Sequence, residues 1–245
     1  MTPYRHHYTV EDNEVDCFGN LKSSMILFYA QDIAGRHCVQ LQVDYETMAA
    51  KRLFWAVIRH RVQITRMPQR GETIAVETWP MPTTRVAYPR ATVAYDEKGQ
   101  ELFRIISLWV IMDLDTRAMI LPGKSGVDVE GLICGGELAA PGSLAPKAME
   151  NRQMRTVRYT DLDRNGHMNN CRYLEWVADL LPSTFYREHT MTEFTVCYLS
   201  EAREGQILQL QYQQEADGSF RIEATRNEDP SAGHNRVFAA WVQYK

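Results

Sequence analysis

The sequence predicts an α+β fold built from two copies of one unit. Three observations support this prediction. An apolar helix followed by a run of strands occurs twice, two Asp residues and a Gly recur at a constant spacing, and a stretch rich in glycine and proline separates the two halves. A helix followed by strands joined through short turns is typical of the α+β class. The 245 residues are enough for one large domain or two small ones.

The first half begins with a short strand, a loop and a helix. Residues 4–10 have the composition of a strand, and residues 25–34, which follow the loop at 16–24, are almost wholly apolar. Ser23 or Ser24 is the expected N-cap of this helix. Because a helix without a polar face is usually buried on most sides, we expect it to lie deep within its domain.

Four further strands are predicted in the first half. Residues 54–64 alternate between apolar and polar residues in their second half, as a half-exposed strand does. The other three strands are predicted at residues 73–79, 90–95 and 101–112. A hairpin turn at 96–99 joins the last two.

Residues 121–150 differ in composition from both halves. Glycine and proline recur there without a regular period, which predicts a long and partly ordered connection. We therefore divide the chain into an N-terminal domain at 1–120, a linker at 121–150 and a C-terminal domain at 151–245.

The second half repeats the first. It contains a strand at 152–158, a loop, and a helix at 171–181 that Pro182 ends. Four more strands are predicted at 193–200, 207–212, 220–225 and 236–244. Asp16, Gly19 and Asp32 each recur 147 positions later, as Asp163, Gly166 and Asp179. This constant spacing predicts two related domains in tandem.

Composition and charge exclude several function classes. The formal net charge of −4 argues against nucleic acid as the main partner, since phosphate binding needs a concentrated positive surface. The five cysteines are scattered and form no C-x-x-C pair, so neither a disulfide framework nor a thiolate metal site is indicated. The glycine-rich segment Cys134-Gly135-Gly136 lacks the Lys-Ser/Thr ending of a phosphate-binding loop. No apolar run predicts membrane insertion or a signal peptide, and we expect a cytoplasmic protein.

Reactive polar groups are concentrated just before the second helix. Asp163, Asn165 and His167 stand at two-residue intervals, and Asn169 and Asn170 follow them. A carboxylate can act as a base, an imidazole and an amide can orient it, and unpaired backbone amides can stabilise an oxyanion, so the pattern suggests hydrolysis. Ordinary turn and N-cap preferences explain the Asp and the first Asn, but neither the His nor the Asn pair. The first copy has Phe18 and Asn20 where the second has Asn165 and His167, so it has the loop without the chemistry.

The pattern D-x-N-G-H-x-N-N-x-x-Y-x-x-W resembles the active-site loop of hotdog-fold thioesterases. With residues 158–162 before it, the loop is most similar to the bacterial acyl-acyl-carrier-protein (acyl-ACP) thioesterases. Further similarity to that family lies in the first half, in Gln31-Asp32-Ile33-Ala34 with His37, Pro68-x-x-Gly71, Thr78-Trp79-Pro80, Ser107–Asp113 and Thr116-Arg117. The resemblance implies a tandem hotdog fold, in which two antiparallel sheets each wrap a central helix. It also implies hydrolysis of acyl-ACP to free fatty acid in fatty-acid biosynthesis, without a cofactor.

The resemblance also implies roles for individual residues. Asp163 and Glu201 would hold or deprotonate water, and which of them is the base stays open. Asn165 and His167 would orient the carboxylate and the thioester, while a backbone amide at the start of the 169–181 helix holds the oxyanion. Asp161 would mainly shape the loop.

One position departs from the plant members of the family. Ala202 follows Glu201 where those members often have cysteine, so a thiol nucleophile is unavailable at that position. Cys171 and Cys197 lie near in sequence, but thiols in a protein core are far commoner than catalytic ones.

Substrate and carrier contacts are predicted from both halves. Asn169, Asn170, Met25 and Trp55 are candidate substrate-binding residues, the last two as the lining of an acyl tunnel in the first domain. Candidate docking residues for the acidic acyl-carrier protein are Arg152, Arg155, Arg158 and Arg172, for which a solvated strand face is an equal alternative.

Two other functions and two oligomeric states stay open. An acyl-CoA thioesterase has a similar loop, usually with one domain per chain, and a non-catalytic acyl-thioester sensor of this fold usually carries an effector domain. The tandem copies can satisfy each other's sheet pairing, which makes a monomer possible, and we expect a monomer or a homodimer.

Overall fold

The computed structural model describes residues 2–134, 138–226 and 235–245. It contains two compact units, Met1–Pro141 and Gly142–Lys245. Residues 135–137 of the predicted linker lie outside the described residues. Among the helices that are described, none is long and apolar enough to span a membrane.

The first unit is one antiparallel sheet with a long helix against it. Its elements are β1 (Tyr4–Thr9), α1 (Ser23–Gln40), α2 (Tyr45–Ala50), β2 (Leu53–Ile64), β3 (Thr73–Pro80), β4 (Tyr88–Tyr95), β5 (Glu101–Asp113), β6 (Met119–Ile120) and α3 (Pro122–Ser125). The strands lie in the order β1-β3-β4-β5-β2, and β6 pairs with β5. Helix α1 contacts β1 and β3.

Helix α1 is buried along much of its length, as its composition predicts. Its buried residues are Ser24, Ile26, Leu27, Tyr29, Ala30, Ile33, Ala34 and His37. The predicted N-cap is wrong, because the helix already begins at Ser23 and the capping position is Lys22. Lys22 has an extended backbone and makes no side-chain capping bond.

The second unit has the same architecture with a shorter helical region. Its elements are β7 (Asn151–Thr156), α4 (Arg172–Ala178), α5 (Ser183–Glu188), β8 (Met191–Tyr198), β9 (Ile207–Gln214), β10 (Phe220–Arg226) and β11 (Arg236–Tyr244). The strands lie in the order β8-β11-β10-β9-β7. The Tyr173 ring of α4 packs on Phe238 of β11, with ring centroids 4.7 Å apart. The predicted helix at 171–181 is too long, since α4 ends at Ala178 and a separate helix begins after Pro182.

The two units repeat each other in strand register. Tyr4 of β1 lies opposite Thr78 of β3, and Asn151 of β7 lies opposite Tyr212 of β9. Residues of β7 therefore follow those of β1 by 147 positions, whereas residues of β9 follow those of β3 by 134. The difference arises because α4 and α5 are together shorter than α1 and α2. The predicted α+β fold with a repeated sheet and helix is confirmed.

The segment after α3 has no further regular element among its described residues, but it is anchored. Val127 and Leu138 are buried in the first unit and Met149 in the second. The Leu132 amide donates to the Pro80 carbonyl at 2.8 Å. A side chain at Gly131 would lie 2.4 Å from the Pro82 backbone, so only glycine fits this close approach.

Candidate active site

The loop before α4 is shaped by the carboxylate of Asp163. Its Oδ1 accepts from the Asn165 amide at 2.8 Å and, more weakly, from the His167 amide at 3.4 Å. The Asp163 amide donates to the His167 carbonyl at 2.8 Å, which closes the turn. Gly166 lies in the turn with a φ of +75°, a conformation that side chains rarely adopt. Asp163 therefore satisfies backbone amides of its own loop.

The equivalent loop of the first unit has the same geometry. Asp16 Oδ1 accepts from the amides of Phe18 at 2.9 Å and Asn20 at 3.0 Å, and the Asp16 amide donates to the Asn20 carbonyl at 2.8 Å. Gly19 has a φ of +82°. The first copy lacks the His and the following Asn pair, so these bonds of the Asp carboxylate set the shape of both loops and do not depend on those residues.

His167 and Glu201 bring an imidazole and a carboxylate of the site into direct contact. His167 Nε2 lies 3.0 Å from Glu201 Oε2. The imidazole is buried, with 11% of its side chain exposed, whereas 43% of the Glu201 side chain is exposed. A proton on Nε2 is therefore donated to a carboxylate that water can reach.

Asn165 is exposed, and its side chain contacts Asp163. Its side-chain nitrogen lies 3.4 Å from Asp163 Oδ2, a long and weak contact. In the second unit, the Asp163 side chain thus contacts Asn165 and, more weakly, the His167 amide, while the His167 ring contacts Glu201.

The turn that carries Glu201 is held by backbone bonds on both sides. The amides of Leu199 and Ser200 donate to the Val237 carbonyl at 2.8 and 3.2 Å. The Met168 amide donates to the Ala202 carbonyl at 2.8 Å, which joins this turn to the loop that carries Asp163 and His167. The loop and the turn are therefore directly connected through neighbours of His167 and Glu201.

The amides at the start of α4 are mostly engaged. The Met168 amide donates to the Ala202 carbonyl and the Asn169 amide to the Asp161 carbonyl, both at 2.8 Å. The Cys171 amide donates to the Asn169 side-chain oxygen and the Arg172 amide to the Asn169 carbonyl, both at 2.9 Å. Asn169 thus accepts from the amides of Cys171 and Arg172 through its side chain and its carbonyl, and the Asn170 carbonyl accepts from the Tyr198 hydroxyl at 2.9 Å. Among amides 168–172, only that of Asn170 lacks an acceptor within the described residues.

The two cysteines near the site are buried. Cys171 and Cys197 are each 1% exposed. Burial, and then the negative charge of Glu175, raises the pKa of the Cys171 thiol. Both features oppose a thiolate nucleophile at Cys171.

The four candidate docking arginines differ in their exposure and in their contacts within the protein. Arg155 donates to Asp179 at 2.8 Å and its guanidinium lies 5.1 Å from the centre of the Trp176 ring. Arg172 pairs with Glu175 at 2.6 Å. Arg152 and Arg158 are exposed. The last two are therefore better suited to contact a partner.

The candidate acyl-binding residues of the first unit are both half-buried. Met25 lies on α1, and Trp55 lies on β2 with its indole nitrogen donating to the Val43 carbonyl at 2.8 Å. The Trp55 ring meets the Tyr88 ring edge to face at 4.9 Å. Trp55 packs against the hydrophobic core of its unit.

No cluster of side chains that could hold a metal ion occurs among the described residues of the chain.

Arg226 is a site residue that the sequence pattern did not single out. It ends β10, and its guanidinium donates to the backbone carbonyl of Glu201. Burial raises the pKa of Tyr173; the positive charge of Arg226 opposes this rise, and the negative charges of Asp161, Glu201 and Asp163 add to it. Twenty-five residues separate Arg226 from Glu201, so no local motif reports the contact.

Comparison with known proteins identifies two family models in sequence order. Residues 2–121 match the N-terminal domain of acyl-ACP thioesterase, and residues 144–242 match its C-terminal domain. Among curated relatives, an oleoyl-acyl carrier protein thioesterase of Arabidopsis thaliana is 25% identical over 224 residues, with 84% of this chain and 62% of the relative covered. A palmitoyl-acyl carrier protein thioesterase of Gossypium hirsutum is 24% identical over 221 residues, with 84% and 54% covered. The chain thus spans between half and two thirds of these relatives' length.

Solved structures resemble the chain over nearly its whole length. The crystal structure of an acyl-ACP thioesterase from Bacteroides thetaiotaomicron has a TM-score of 0.88 at 24% identity, covering 99% of this chain and 98% of that one. A 12:0-ACP thioesterase from Umbellularia californica has a TM-score of 0.80 at 23% identity, covering 99% and 97%. At these identities the structures establish a shared fold.

Proposed function

The chain belongs to the acyl-ACP thioesterase family, and on that premise we propose that it hydrolyses the thioester of acyl-ACP and releases free fatty acid. The single observation that carries the chemical part of this proposal is the contact between His167 Nε2 and Glu201 Oε2 at 3.0 Å. It supplies an oriented carboxylate that is open to water, which thioester hydrolysis requires.

In the proposed reaction, Glu201 holds a water molecule and accepts its proton as the water oxygen bonds to the thioester carbon. His167 donates to the other side of the carboxylate and fixes its direction. The carbon–sulfur bond then breaks, and the thiolate of the carrier takes up the proton that Glu201 received. A thiolate is a good leaving group, so the enzyme needs no covalent nucleophile.

We assign Asp163 a positioning role. Its carboxylate is occupied by loop amides, and Asp16 has the same bonds in a loop without His167. The oxyanion is assigned to the Asn170 amide, because the neighbouring amides already donate within the protein. On these grounds we propose Glu201, rather than Asp163, as the base.

The substrate contacts are proposals of the same kind. Exposed Arg152 and Arg158 would receive the acidic carrier protein, and Met25 and Trp55 would contribute to acyl binding in the first unit. Fatty-acid biosynthesis as the pathway, a cytoplasmic location, and a monomeric or dimeric state belong to the same proposal.

The decisive experiment is steady-state hydrolysis of a matched chain-length series, offered both as acyl-ACP and as acyl-CoA. We expect a higher kcat/KM for the carrier-bound series, with one preferred chain length and strong loss in Glu201→Ala. Preference for acyl-CoA would move the assignment to an acyl-CoA thioesterase. Tight acyl binding without turnover would indicate an acyl-thioester sensor.

A further inference from the structure

The backbone of Glu201 is hydrogen-bonded by a side chain from another strand, that of Arg226 in β10. The backbone bonds around it involve Leu199, Ser200 and Ala202, but the Glu201 carbonyl itself accepts from the guanidinium of Arg226. Glu201 is exposed and its carboxylate has to meet His167 Nε2 at 3.0 Å. A turn residue with an exposed side chain loses conformational freedom when it is held in one position, so an anchor at this point matters.

The repeat identifies the residue of the first unit that is equivalent to Arg226. Strand register relates β10 to β4 by 130 positions, since Thr92 opposes Thr78 and Ile222 opposes Tyr212. Arg226 therefore corresponds to Asp96, so the charge at this position is inverted between the copies.

Residues of β9 follow their equivalents in β3 by 134 positions, and the same offset applies to the turn that carries Glu201. Glu201 is therefore equivalent to Met67 of the first unit. In the first unit the Met67 carbonyl accepts from its neighbour Arg66 at 3.3 Å, and that arginine also pairs with Glu72. The second unit has serine at the Arg66 position and brings its arginine from β10 instead. The acidic residue, the imidazole and the strand-end arginine thus occur together in one copy and are all absent from the other.

We infer that Arg226 is a positioning residue for Glu201. By holding the Glu201 carbonyl from the end of β10, it fixes the turn so that the carboxylate meets His167 and faces the reacting water. This inference rests on the proposed hydrolysis, in which Glu201 handles the water. It predicts that Arg226 acts on the rate of the chemical step and not on the binding of substrate.

The test compares Arg226→Met and Arg226→Lys with a matched control on the same strand. Arg221 of β10 also donates to a backbone carbonyl, that of Ala145, away from the site. Removal of a residue that orients a functional group costs about 10- to 100-fold, as found for the partners of metal ligands. We expect that loss in kcat for Arg226→Met with KM within about threefold, partial recovery in Arg226→Lys, and near wild-type kcat in Arg221→Met.

A double-mutant comparison separates positioning from a general structural effect. If Arg226 acts through Glu201, Arg226→Met causes no further loss of kcat in a Glu201→Gln protein. The same fold loss in both backgrounds would overturn the inference, as would equal kcat in wild type and Arg226→Met. A thermal melt of each variant shows whether it is folded at the assay temperature.

A second readout does not need turnover. The ring-nitrogen signals of His167 in protein labelled with 15N-histidine report its bond to Glu201. We expect Arg226→Met to move these signals towards those of Glu201→Gln, while Arg221→Met leaves them in place. An unmoved signal would refute the positioning role even if the chain hydrolyses no thioester. Absence of turnover in the wild type with a moved signal would refute the proposed function alone.

Discussion

The separate roles of Asp163 and Glu201 can be tested through the repeat itself. Asp163 and Asp16 make the same loop bonds, so each Asp→Ala change removes hydrogen bonds from a charged acceptor to backbone amides. Such bonds contribute about 1.5–3 kcal/mol, and partial exposure reduces this to about 1–2 kcal/mol here. For a chain of this size, that corresponds to a decrease in Tm of about 2–8 °C.

The two substitutions are expected to differ in activity. Asp163→Ala releases the loop that carries His167, whereas Asp16→Ala releases a loop without reactive groups. Asp163→Asn is the more informative change, because its side-chain oxygen can still accept from the amides of Asn165 and His167. We expect it to lose less than about tenfold in kcat, equivalent to about 1.4 kcal/mol. Glu201→Gln, which removes the base, should lose about 10²- to 10⁴-fold.

The assay is thermal denaturation of all four variants, with kcat measured on one acyl-ACP. A folded Asp163→Asn protein that is as inactive as Glu201→Gln would refute the division of roles and make Asp163 a base. A large loss of kcat in Asp16→Ala would refute the use of the first loop as a control.

Three further predictions follow from burial and charge. Cys171→Ser should retain kcat within about threefold and wild type should form no covalent acyl adduct by mass spectrometry, because the buried thiol has a raised pKa. Burial lowers the pKa of His60 to about 3 from 6.5, so the unfolded state takes up the proton first. The free energy of unfolding should therefore fall by about 2 kcal/mol between pH 7 and pH 5 on account of His60, and by about as much again on account of His37, whose pKa is lowered to about 4 by burial and by Arg90. In urea denaturation, His60→Gln should remove about half of this combined fall. Charge reversal at exposed Arg152 and Arg158 should raise KM for acyl-ACP and leave a small thioester unaffected, and equal loss on both substrates would exclude carrier docking there.

Much of the fold could be predicted from the sequence because the strands alternate clearly and the turns carry strong signals. The strand at 236–244 is found at those residues, and that at 101–112 extends by one residue to Asp113. Short helices were missed. Helix α2 begins after Asp44, whose side chain accepts from the amides of Glu46 and Thr47, a capping signal that the sequence does contain. Helix α5 begins at Ser183, directly after Pro182, at which the predicted helix ends.

The candidate site was only partly predictable. The loop from Asp163 to His167 lies in one local motif, and its partner Glu201 came from the family resemblance. Arg226 reaches the site from the end of another strand, and its importance emerges only when the strand registers of the two units are compared. The spacing of 147 applies to the loop and helix start but not to the strands beyond, because the second helical region is shorter.

The most direct test of the account is the release of free carrier thiol from one acyl-ACP at a concentration well below KM. The comparison is between wild type, Glu201→Gln and the control Arg221→Met. The account predicts rapid release by wild type and by Arg221→Met, slower release of the same acyl group from CoA, and a loss of about 10²-fold or more in Glu201→Gln. Equal release by wild type and a folded Glu201→Gln protein would contradict the assignment of Glu201 as the residue that activates water.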